Sequence, residues 1–157
     1  MSQKLEKRMY FLTMYNLSDI QKGIQPAHAV VEYHLKYPKS SEYFDWARNY
    51  KTIIILNGGT SNAGRESKHK SILPEKGTME MHLKFLKKNK IKCAHFYEPD
   101  LNNSLSAIAF IVDETVFNKK KYPDWDPNSG IPFSKFVKKV GKKTATLKEF
   151  LKDFRLA

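Results

Sequence analysis

His28 is the side chain in this sequence best suited to proton transfer. It stands three residues after Gln25, between Ala27 and Ala29, whose small side chains leave room for another group to approach. A histidine in that setting acts as a general base or a proton-bearing donor, unless a backbone carbonyl satisfies it at the edge of a core. Asp100 follows Glu98-Pro99 and is a carboxylate at a turn, where aspartate also serves simply to shape the chain. Ser104 and Ser106 add hydroxyls beside it, without the spacing of a nucleophile elbow. Gly59 and Gly64 resemble a phosphate-binding loop in spacing, but Arg65 and Glu66 replace the lysine and the hydroxyl residue that nucleotide hydrolysis needs. A turn touching phosphate through backbone amides fits better. The five histidines and Cys93 lack close-paired ligand spacing, so no metal or other cofactor is expected.

Residues 9–14 read as a buried strand. In the stretch that follows, Ser18 and Gln21 have capping-box spacing, and Ile20, Ile24, Ala27, Val31 and Leu35 recur as one helical face. Pro26 either kinks that helix or opens its main part, and Tyr37-Pro38 ends it. Ser40 or Ser41 caps a short helix; residues 52–57 form a β-branched strand closed by Gly58-Gly59; a long polar loop follows. Thr78 can cap a helix through Lys88, with Met79, Leu83 and Leu86 on one face. Residues 92–97 and 105–112 are strands joined by a turn at Asn102-Asn103. This alternation predicts an α/β fold with a four-stranded mixed sheet and helices on both faces. Residues 53–56 and 107–112, the longest apolar runs, are expected at its buried centre. The expected division is an α/β domain over 1–117 and a basic helical extension over 118–157, packed on or flanking it.

The chain has 157 residues and a net charge of +12. Residues 118–157 alone hold eleven Lys/Arg against four Asp/Glu. Such a field attracts polyanions, nucleic acid foremost, although lysines also solubilise helix faces. Only four of the cations are arginines, which favours diffuse contact with a phosphate backbone over base reading. No apolar run approaches the ~20 residues of a membrane helix. The charged start MSQKLEKR and the single cysteine point to a cytoplasmic protein without a membrane partner.

QKGIQPAHAVVEY resembles the first-helix signature of the type II peptidyl-tRNA hydrolase family, with Gln25, His28 and Ala29 on its glutamine and histidine-alanine. FYEPDLNNSLSAIAF resembles the family's aspartate-containing turn, with Asp100 on the aspartate. The resemblance spans about residues 8–114 and implies a compact α/β fold that hydrolyses the ester between peptide and tRNA. Gln21 occupies the place of the family's lysine, and Lys22 is the neighbouring base. Leu101, Asn102, Asn103 and Ser104 stand where the family has glycine and threonine after its aspartate. On this resemblance His28, Asp100 and Ser104 orient water, Lys22 meets the developing negative charge, and Gln21, Gln25, Asn102 and Asn103 contact substrate. The expected partners are tRNA or other RNA, and a second copy of the chain. The alternative is a non-catalytic binder of RNA or protein that keeps the fold.

Overall fold

A computed structural model of the chain describes residues 4–62 and 77–157. The expected phosphate loop at Gly64 and Arg65 lies outside the described residues. Four strands form one mixed sheet: β1 (Lys7–Met14), β2 (Thr52–Gly59), β3 (Cys93–Glu98) and β4 (Ser104–Asp113), in the order β2-β1-β4-β3. β1 and β2 are parallel, with Phe11 opposite Ile55; β4 runs antiparallel to both β1 and β3. The fold class is therefore α/β with a four-stranded mixed sheet, as the pattern of elements requires.

The centre of the sheet matches expectation for residues 107–112 of β4, which are buried, but not for residues 53–56 of β2. β1 and β4 are the inner strands, and β2 lies at an edge with Ile53 half exposed. A run of isoleucines marks a strand but not its neighbours. Here the free edge of β2 is covered by the chain's last residues: Asn57 donates its N–H to the Arg155 carbonyl (2.9 Å), and Ala157 donates to that of Ile55 (3.0 Å). Covering an edge in this way shields backbone groups that would otherwise pair with another chain.

Helix α1 (Asp19–Lys36) begins at Ser18, whose hydroxyl accepts the Gln21 N–H, and continues unbroken through the buried Pro26. Its orientation reverses the expected one. Gln25, Pro26, Ala29 and Tyr33 face the sheet, while Ile20, Ile24, Val31 and Leu35 are exposed. The inward face meets Ala94, Ala107 and Ala109 of the sheet. These small side chains bring the helix close, so a glutamine buries where an isoleucine stripe promised the core. α2 (Ser41–Asp45), capped by Ser40, leads through a π-helical turn to Lys51, in the left-handed region at φ 56°.

The opposite face is aliphatic and aromatic. Helix α3 (Thr78–Lys88) inserts Met79, Leu83 and Leu86 against Tyr10, Leu12, Ile108 and Phe110. Gly59 marks where β2 meets this helix: its φ is +89°, and a Cβ there would stand 2.0 Å from Thr78 Oγ1. After the short α4 (Glu114–Phe117), residues 118–132 form an irregular arm leading to α5 (Phe133–Val140) and α6 (Lys142–Leu151). α6 buries Ala145, Leu147 and Lys148, and Leu147 joins the α3-side core. The Lys148 ammonium is enclosed. It donates to the carbonyls of Val116 (3.3 Å) and Tyr122 (2.6 Å) and to Asp124 (3.0 Å), tying the arm to the helix. No helix among the described residues is long and apolar enough to cross a membrane.

Candidate functional site

The candidate site lies between the N-terminal half of α1 and the end of β3, and its geometry begins with a β-bulge. Phe96 pairs with Ala107 but Tyr97 pairs with Leu105, leaving Ser106 as the extra residue. Bulges re-aim side chains. Here the Ser106 hydroxyl turns toward α1 and donates to Gln25 Oε1 at 2.5 Å. The fully buried Gln25 then uses both amide hydrogens, donating to Gln21 Oε1 and Glu98 Oε2, each at 2.8 Å. Every polar atom of that amide is satisfied, as burial demands.

Glu98 closes the chain of contacts. Its Oε1 accepts the Asp100 backbone N–H at 3.2 Å, and its Oε2 faces His28 Nε2 at 3.9 Å. The bond from Gln25 holds this carboxyl below its ordinary range despite burial, with help from the Asp100 N–H and the charge His28 carries when protonated. The His28 imidazole stacks on the Phe96 ring (centroids 4.3 Å apart, planes at 18°) and its side chain remains 45% exposed. An imidazole with a carboxylate 3.9 Å to one side and an aromatic ring on one face, yet open to solvent, can take a proton from water. On α1, with ~100° per residue, Gln21, Gln25 and His28 share one edge.

The structure thus brings together Gln21, Gln25 and His28, and joins Asp100 to them through its backbone only. The exposed Asp100 side chain starts a 3₁₀ turn, Pro99–Leu101. Asn102 and Asn103 both take positive φ (58° and 56°) and shape the hairpin into β4. Ser104 donates its hydroxyl to the Leu101 carbonyl at 2.6 Å. Asn102 and Ser104 line a separate recess of about 220 Å³ with Met14 and Leu17. Lys22 sits ~120° around the helix from His28 and faces Asp19 at 3.8 Å.

Two participants escaped the sequence reading as functional groups. Glu98 was visible only as the residue before Pro99, although it alternates with Phe96 on one strand face. Ser106 was visible as an accessory hydroxyl; its position inside the apolar run of β4 is the signal that it needs a buried partner. Among the described residues, no group of three or more His, Cys, Asp or Glu could hold a metal ion.

The fold and site define an α/β protein with a carboxylate-backed histidine at the end of an edge strand. Beyond that class, no protein-family model matches the chain, and no curated protein matches it.

Proposed function

We propose that this protein is a hydrolase of the peptidyl-tRNA type, cleaving the ester that joins a peptide to tRNA. The observation that carries the reading is the Gln25–Glu98–His28 group: a solvent-open imidazole facing a carboxylate that buried hydrogen bonds keep ionised. Glu98 favours the imidazole tautomer with its proton on Nε2, leaving Nδ1 to accept a proton from the attacking water. The 3.9 Å separation is longer than a hydrogen bond and shortens as substrate excludes solvent. Water adds to the ester carbonyl while His28 takes its proton, and the tetrahedral oxyanion then expels the ribose oxygen, which recovers the proton. Lys22 meets that oxyanion only by leaving its pair with Asp19, whose side chain is fully exposed, and swinging about 120° around α1. Asp100 and Ser104 border the same end of the sheet, on the side where Asn102 and Asn103 turn the chain.

RNA contact is supported by a basic surface beside β3. Lys84, Lys87 and Lys88 flank the exposed Tyr97 in a cleft of about 490 Å³, and none of the three has an ion pair among the described residues. β3 is an edge strand, and this surface and His28 flank it from opposite faces, against the neighbouring residues Tyr97 and Phe96. A homodimer is supported by the outward stripe of Ile20, Ile24, Val31 and Leu35, and sedimentation of the parent against Val31→Lys tests it.

The second reading, a non-catalytic RNA binder, is favoured by Gln21: a neutral amide, engaged with Gln25, in the place of the expected lysine. Turnover of peptidyl-tRNA by the parent, His28→Ala and Gln21→Lys separates the two. Hydrolysis that falls in His28→Ala and rises in Gln21→Lys supports the hydrolase. Tight RNA binding with no turnover in any of the three supports the binder.

A further inference from the structure

Away from His28, the arm and α5 enclose a cavity of about 620 Å³, walled by Tyr122, Trp125, Ile131 and Phe136 and rimmed by Lys135 and Lys139. We propose that it is a nucleotide pocket for single-stranded RNA, with a base lying against Trp125 and its phosphate meeting Lys135 and Lys139.

α5 explains the cavity. No residue of this eight-residue helix is buried; Phe136, Val137 and Val140 are half covered, and the lysines face solvent. Its apolar side turns toward the arm, leaving a concavity between them. The walls are fixed. Trp125 Nε1 donates to the Ile131 carbonyl at 2.8 Å, its ring meets Phe133 edge-on (5.2 Å), and Lys148 pins Tyr122 and Asp124 from behind. With its N–H spent, the indole offers a ring surface and no donor, which suits stacking without base selection.

The charges choose the occupant. Lys135 and Lys139 are one helical turn apart and have no ion pair among the described residues. Of the two acids on the cavity, Asp124 is neutralised by Lys148 and Lys119 at 3.0 Å each, which holds its carboxyl low against the opposing effect of burial. Asp126 caps the Asn128 N–H at 2.8 Å and is the remaining opposing charge. A flat apolar body bearing an anion fits this arrangement, and each residue of a single-stranded nucleic acid supplies both. A duplex keeps its bases inside the stack. A lipid surface needs an apolar helix face directed outward, whereas Phe136 and Val140 of α5 line the cavity.

The proposal rests on the RNA-contact reading but not on catalysis, so its test uses an oligonucleotide without an ester. Labelled hexaadenylate is titrated into the full chain and followed by anisotropy, together with intrinsic tryptophan emission. Trp46 is buried at 6% exposure and serves as the silent reference, so a change in emission reports Trp125. Expected is saturable binding with quenching, weakened at least about fivefold in Trp125→Ala and less in Trp125→Phe. Lys135→Ala and Lys139→Ala, both on the surface and without structural bonds, should each weaken binding several-fold more than Lys39→Ala. Binding with unchanged emission, equal loss in Lys39→Ala, equal affinity for a duplex, or binding of phosphatidylserine vesicles in place of the oligomer would each overturn the pocket. Ester hydrolysis persisting alongside such a result leaves the His28 reading standing.

Discussion

The two faces of the sheet are built on different principles. The α3–α6 face packs sixteen buried residues, mostly large aliphatics, into one cluster; the α1 face has nine, four of them alanines. The larger cluster supplies burial. The smaller one draws α1 close enough for Gln25 to reach Ser106 on β4 and Glu98 on β3, so it supplies position. The lesson is a division of labour: one face gives the molecule its stability, and the other spends apolar area on a polar group that sets Glu98 beside His28.

The comparison breaks most visibly if a polar residue on the stabilising face proves dispensable. Lys148→Met keeps the buried stem but removes the ammonium from two carbonyls and Asp124. A loss of about 3 kcal/mol in denaturant unfolding is expected, because one partner of a buried charged group is removed. The arm should loosen with it, read as a shift in Trp125 emission.

On the other face, Gln25→Leu should cost about 2 kcal/mol, since it strips buried hydrogen bonds from Ser106 and Glu98 while preserving volume. It also removes the main cause of Glu98's lowered titration. A carboxyl whose folded value lies below its unfolded value stabilises above the unfolded value of ~4.3 and loses that contribution as pH falls through the folded one. Stability measured across pH 5 to 3 should therefore decline less steeply in Gln25→Leu than in the parent.

Tyr33 sharpens the contrast. It is fully buried beneath α1, ringed by Tyr37 and Tyr43, and its hydroxyl has no hydrogen-bond partner among the described residues. Burial pushes its titration well up. Tyr33→Phe should stabilise by about 1 kcal/mol, the only gain in this series. On the α3 side, His82 lies against Phe150 and Phe154, and burial lowers its titration. Its folded value below the unfolded ~6.5 means that stability falls as pH drops through that range. Unfolding at pH 7.5 and 5.5 should differ less in His82→Leu than in the parent.

The strands, α3 and the order of elements were legible because their periodicity and closing residues agree. The orientation of α1 was not. Ile20, Ile24, Val31 and Leu35 satisfy every rule for a buried face, but the alanines of β3 and β4 that receive Gln25 are distant in sequence. The edge position of β2 was hidden for the same reason: the residues that cover it are the last in the chain. At the site, His28 was legible from its neighbours on the helix, and Gln21 and Gln25 from the family resemblance, whereas Ser106 reaches Gln25 through a bulge that no local pattern announces.

The central claim is that His28 and Glu98 act as one unit on an ester. Single-turnover hydrolysis of peptidyl-tRNA by His28→Ala, Glu98→Gln and the double variant tests it most directly. With Glu98 proposed to position the imidazole, each single change should slow hydrolysis, His28→Ala by about 10²–10⁴. The double variant should then be no slower than His28→Ala alone, because residues acting as a unit are not additive. Losses that multiply in the double variant, or a rate untouched by either change, would contradict the account.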